Sequence, residues 1–150
     1  MNTLNRKLPI SRPEVIAVAC LLAAATSLRA TAQDKKVTVK DKVYSAAQAA
    51  KGEKQYTQVC VTCHDPAKVA PGKKAAPPLI GPKFLDEWAD RTLGELMTKI
   101  VTTMPDDGSV VLTDADGAAL VAYMLKQNGF PDGPNDLKPG DASKDIVIMK

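Results

Sequence analysis

The sequence predicts an all-α domain, and three observations predict it. Apolar residues recur at helical spacing in three separate segments. Two of those segments open on a threonine followed three positions later by an acid, the signature of a capping box. Alternating apolar and polar runs, the mark of half-buried strands, are weak throughout, and no internal repeat is present. The chain has 150 residues, of which 25% are charged and 45% apolar, the balance of one soluble domain.

Residues 1–32 read as an address rather than as structure. Arg6, Lys7 and Arg12 precede an apolar run from Val15 to Leu28, and Ala30-Thr31-Ala32 follows it. A basic start, a short apolar stretch and small residues at −3 and −1 make a secretory signal peptide, with cleavage expected after Ala32. The apolar run is short of the roughly 20 residues a spanning helix needs, so no stable membrane span is expected in the mature chain. Lipoprotein processing at Cys20 would leave too short an apolar stretch before the cysteine. The formal charge of +3 is carried by the signal: without residues 1–32 the chain holds 16 basic and 16 acidic residues. That neutrality gives no argument for a nucleic-acid partner or an anionic membrane. Removal of Cys20 leaves two cysteines in the mature chain.

Residues 33–43 are polar and lysine-rich, and read as a flexible N-terminal lead. The first helix begins at Ser45, with Ser45, Ala49, Gly52, Tyr56 and Val59 on one face. Asp65 to Pro82 is rich in proline and reads as a long loop, a feature that in a compact domain is often functional. The second helix opens at Thr92 with Glu95, presents Leu93, Leu96, Met97, Ile100 and Val101 as a stripe, and ends at Pro105. The third opens at Thr113 with Asp116, is apolar nearly all round from Ala118 to Leu125, and stops at Asn128-Gly129. Residues 131–150 read as an extended C-terminal tail, with a short extended segment at Ile146-Val147-Ile148.

The chemistry concentrates in Cys60-Val61-Thr62-Cys63-His64, the C-x-x-C-H pattern of c-type haem attachment. Two thiols three positions apart can each add to a vinyl group on one edge of a porphyrin, and the next residue then offers its imidazole to the iron. Export agrees with this, because such haems are attached outside the cytoplasm. Three other uses of the same residues fit less well. A dithiol redox site belongs at the start of a helix on an α/β scaffold, whereas this motif ends a helix. A disulfide closing so short a loop removes little unfolded-state entropy. A zinc site would find three ligands and no second histidine.

With these features in hand, residues 44–130 resemble the class I cytochrome c family. Helix, C-x-x-C-H, proline-rich loop, middle helix, methionine loop and terminal helix follow in the family's order. Gly52, Tyr56 and Tyr123 match its first and last helices, which cross with the small residue at the contact. Leu79-Ile80-Gly81-Pro82, Trp88, Thr102-Thr103-Met104-Pro105 and Asn128-Gly129-Phe130-Pro131 are most similar to bacterial periplasmic members, where such domains accompany oxidoreductases, including quinoprotein dehydrogenases. The resemblance implies the cytochrome c fold, its helices wrapped around one haem c held through Cys60 and Cys63.

His64 is the only histidine, so the opposite axial ligand must be of another kind. Met97 and Met124 lie on core faces and Met149 is in the tail, which leaves Met104, forty residues after His64 and rigidified by Pro105. Spacing and resemblance together point to Met104, with lysine ligation or an open position as the alternatives. The resemblance also implies that the Pro77 carbonyl accepts from the other nitrogen of His64, a place suited to proline, which has no competing N–H. Trp88 is either a core anchor or a donor to a haem propionate. Lys68, Lys73 and Lys74 read as solvated loop lysines before a docking patch, since Asp106 and Asp107 dilute the field.

The expectation is a periplasmic single-electron carrier, not an enzyme, between an upstream envelope dehydrogenase and a downstream cytochrome or oxidase. The alternatives are a cytochrome subunit docked to one oxidoreductase complex and, less well supported, a haem enzyme with an open or labile sixth site.

Overall fold

The computed structural model describes residues 35–150 apart from 66, 69–70 and 73–74. The signal reading of residues 1–32, and Lys73 and Lys74, lie outside the described residues. The described chain is helical: α1 (Ala46–Gln55), a π-helical turn (Tyr56–Cys60), α2 (Val61–His64), α3 (Pro82–Trp88), α4 (Leu93–Thr103), α5 (Asp114–Gln127) and a 3₁₀ turn (Gly140–Ala142). Extended backbone among the described residues is confined to isolated bridges.

Local chemistry sets the helix ends. The Ser45 hydroxyl accepts from the Gln48 N–H and starts α1. Thr92 with Glu95, and Thr113 with Asp116, form complete capping boxes at α4 and α5. Asn128 caps the end of α5 and Gly129 follows at φ 82°.

The central contact is α1 against α5. A Cβ on Gly52 would lie 1.9 Å from the Ala119 carbonyl oxygen, so only glycine lets the two backbones meet there. One turn on, the rings of Tyr56 and Tyr123 pack with centroids 5.1 Å apart. The α4 stripe buries Leu93, Leu96, Met97 and Ile100, with Val101 packed at the edge. In α5 burial runs unbroken from Gly117 to Ala122 and resumes at Met124 and Leu125, as its all-round apolar pattern requires.

Three regions depart from the sequence reading. The first is α3, which no periodicity announces. Pro82 stands at its first turn, where a missing N–H costs nothing, and Phe84 and Trp88 bury one face at i, i+4 spacing. The second is one point in the lead over 33–43, most of whose described residues are exposed: Val39 is fully buried, its N–H donates to the Val147 carbonyl, and the Val147 N–H donates to the Val37 carbonyl.

The third is the tail, which folds back over the domain. Ile146 and Ile148 are buried, the Leu93 N–H donates to the Ile146 carbonyl, and the Ile148 N–H donates to the Arg91 carbonyl. Upstream, Leu137 is clasped by buried Gln48, whose side chain donates to its carbonyl at 2.9 Å and accepts from its N–H at 2.8 Å. Lead and tail bury each other across more than a hundred residues of sequence, which is why neither signals order alone.

Candidate haem-binding site

The motif closes the helical run that starts at α1. The π turn brings the Val61 N–H onto the Tyr56 carbonyl, five residues back. Such single wide turns are frequent at functional sites, and this one resets the phase of the next turn relative to the face that packs on α5. Cys60 and Cys63 follow on one side of the helix at i, i+3 spacing, both as free thiols, Cys60 partly buried and Cys63 exposed.

Burial, and then the neighbouring Cys63, push the Cys60 thiol up to about 11. A dithiol oxidoreductase needs the opposite, a depressed thiol that is ionised at neutral pH. Among the described residues no three His, Cys, Asp or Glu side chains converge on a common metal position, which leaves the zinc reading without donors.

His64 ends α2, and the loop returns to it. The Ala76 N–H donates to the Cys63 carbonyl at 3.0 Å, and His64 Nδ1 lies 2.7 Å from the Pro77 carbonyl oxygen. A carbonyl can only accept, so Nδ1 carries the proton. In the neutral ring Nε2 then presents its lone pair. A hydrogen bond on the far nitrogen is how proteins fix the orientation of a metal-binding imidazole and raise its basicity.

Met104 caps the C-terminal end of α4, its N–H on the Ile100 carbonyl at 3.1 Å, and its side chain is half-buried. A cis peptide links it to Pro105. Met97 and Met124 are buried in the core. Met149 is partly buried where the folded-back tail runs past α3, beside Lys150, which pairs with Asp86. Of the two partly open thioethers, that of Met149 packs at the margin of the core and that of Met104 stands at the end of α4.

Trp88 is buried on Phe84, with centroids 6.4 Å apart, and the Arg91 guanidinium lies 4.0 Å over its ring. Arg91 was not singled out by the sequence, although its place three residues after Trp88 is a usable signal. Among the described residues nothing accepts from the Trp88 indole N–H, and no buried side-chain nitrogen or oxygen is left without a partner. Lys68 is exposed.

The residues present fit a covalently held haem. Two free thiols share a turn, an imidazole next to them is oriented through its remote nitrogen, and apolar side chains flanking the motif are only half covered. Cys60 and Val61 in the motif, and Leu79 and Ile80 in the loop that returns to it, pack against the core without being enclosed by it. An open groove of about 600 Å³ between α4 and residues 139–144 touches neither the motif nor Met104. Among the described residues no helix is long and apolar enough to cross a membrane.

No curated protein and no solved structure matches the chain. Residues 47–124, just over half of the chain, match the family model described as cytochrome C oxidase, cbb3-type, subunit III, and the chain belongs to that family of c-type cytochrome domains, whose chemistry is haem-based electron transfer.

Proposed function

We propose that this protein is a single-electron carrier of the bacterial cell envelope, with one haem c attached through Cys60 and Cys63 and ligated by His64 and Met104. The observation that carries the reading is the 2.7 Å contact between His64 Nδ1 and the Pro77 carbonyl, one residue after a pair of free thiols. Bound haem supplies an iron that gains or loses one electron.

The chain's residues do the rest. His64 offers Nε2 as the proximal ligand, and the Pro77 carbonyl holds the Nδ1 proton, which keeps the ring in one tautomer and strengthens it as a donor. Met104 would offer a soft sulfur as the second protein ligand, and a His/Met pair would raise the reduction potential. With His64 and Met104 both holding the iron, small ligands would be excluded, which would suit electron transfer rather than oxygen or peroxide chemistry. The Trp88 indole N–H would donate to a haem propionate, with Arg91 stacked on the same ring.

Residues 1–32 direct export and are cleaved after Ala32, placing the carrier in the periplasm. Its partners are redox proteins: an envelope dehydrogenase upstream, and a cytochrome or oxidase downstream. A second reading, a cytochrome subunit held in one oxidoreductase complex, is favoured by the description of the matching family as an oxidase subunit. Copurification with a stoichiometric larger subunit selects it; a freely exchanging monomer selects the shuttle.

The test of the carrier reading is the absorption spectrum of the purified protein, oxidised and reduced, with and without cyanide or CO. A six-coordinate spectrum indifferent to both ligands is expected. Ready binding of either would replace the carrier by a haem enzyme with an open or labile sixth site.

A further inference from the structure

We propose that Asn128 is a positioning residue for His64, acting through the loop that carries the Pro77 carbonyl. The inference rests on the reading of His64 as the iron ligand. As the residue that caps α5, Asn128 needs only its backbone to stop the helix. Its side chain does something else: it reaches a segment 47 residues away. Oδ1 accepts from the Gly81 N–H at 2.8 Å, and Nδ2 donates to the Met124 carbonyl at 2.7 Å and to the Leu79 carbonyl at 3.4 Å. The orientation of the amide is unambiguous, because Gly81 supplies only a donor and the two carbonyls only acceptors.

These bonds complete a clamp. On one side of Pro77-Pro78 the Ala76 N–H is tied to the Cys63 carbonyl at 3.0 Å. On the other, Asn128 holds Leu79 and Gly81. Between the two anchors the prolines have fixed φ and no N–H with which to make bonds of their own. The direction of the Pro77 carbonyl, and with it the aim of the His64 ring, is therefore set from the two ends. Gly81 closes the clamp at φ 91°, a conformation that side-chain-bearing residues avoid, and starts α3 with no side-chain cap of its own. Because α5 is locked to α1 at Gly52, Asn128 ties the loop to the same scaffold that carries the motif.

The test compares haem-loaded wild type, Asn128→Ala and Gln48→Ala. Gln48→Ala also cuts side-chain bonds to a remote backbone segment, but at Leu137 in the tail, and serves as the control for mere destabilisation. Asn128→Ala should speed exchange of the Gly81 amide by about tenfold, the loss of one or two modest hydrogen bonds. It should also shift the His64 ring-proton resonances and move the reduction potential. Gln48→Ala should lower stability and leave both at their wild-type values. If Asn128→Ala does not accumulate, Asn128→Ser, too short to reach Gly81, carries the same expectations.

Ring resonances and potential unchanged by the Asn128 substitutions, or moved equally by Gln48→Ala, would overturn the inference while leaving the haem reading intact. A wild type without a covalent haem band would instead remove the haem reading, and this inference with it.

Discussion

The two ends of the first helical run are built differently. At its start, Gln48, Ala49 and Gly52 are buried against α5 and the tail, and Tyr56 closes the face on Tyr123. At its end, Cys60 and His64 are partly open, Cys63 is exposed, and Leu79 and Ile80, in the loop that returns to His64, are half covered. The first end is a finished interior in which even Gln48 has both polar ends bonded. The second has the polar positioning of a site without its apolar closure. A fold that finishes one face and leaves the other half covered separates its two tasks: α1 with α5 holds shape, while the loops around the motif hold a group.

The largest expected effect is therefore on the finished face. Gly52→Ala places a methyl group against backbone, not against a side chain that can turn away. A loss of about 3 kcal/mol or more is expected, at or beyond the upper end of ordinary overpacking. Denaturant midpoints of the haem-loaded protein would measure it. A loss below about 1 kcal/mol would mean that the helices slide apart freely and that their contact is not what fixes the fold.

Next is the open face, where the methionines can be told apart. Met104→Ala is expected to change the ferric spectrum, lower the reduction potential and admit CO. Met149→Leu, a volume-conserving change in the folded-back tail, should leave all three as they were. The reverse pattern would transfer the sixth position to Met149, whose return toward α3 brings a second thioether to the core margin.

The same contrast separates what was legible in the sequence from what was not. Caps and stops are local, and Ser45, the Thr92 and Thr113 boxes and Asn128-Gly129 could be read directly from spacing. Gly52 and Tyr56 could be read from helical period and from resemblance. The α3 helix could not, because a proline at its first turn, inside a proline-rich run, looks like more loop. Nor could the burial of Val39 or the fold-back of the tail: the lead is too polar to announce a buried residue, the extended segment at Ile146-Val147-Ile148 was legible but not its destination, and the partner lies at the other end of the chain. Around the motif, the cysteines and His64 announce themselves by spacing. The Pro77 carbonyl came from resemblance, and the Asn128 side chain was hidden behind its commoner role as a helix stop.

A smaller effect tests how closed the finished face is. Burial pushes the Tyr56 hydroxyl up to about 12 from the ordinary 10.0, and the lesser upward push of a free Cys60 thiol would vanish once that sulfur is a thioether. A folded value above the unfolded one means that the unfolded chain gives up this proton first. The contribution is fully present below pH 10.0 and is lost as pH rises through about 12. Wild type should lose stability across that window, and Tyr56→Phe should lose less. Equal alkaline slopes in the two proteins would show that water already reaches the Tyr56–Tyr123 contact.

The smallest expected effect concerns the start of α5. The Thr113 hydroxyl, and then its backbone N–H, hold the Asp116 carboxyl below its ordinary 3.8. Here the sign is the opposite of that at Tyr56: the stabilisation is present above 3.8 and is lost as pH falls through the lowered folded value. Thr113→Ala removes the hydroxyl but not the N–H, so it should cost about 1 kcal/mol near neutrality and make the acid limb shallower without abolishing it. The buried part of the α1–α5 contact, at Gly52 and Ala119, lies beyond this cap, so the haem spectrum and the reduction potential should not move with the stability. Should the potential follow Thr113→Ala, the two ends of the molecule would be coupled through α5, and the division between a face that holds shape and a face that holds the group would fail.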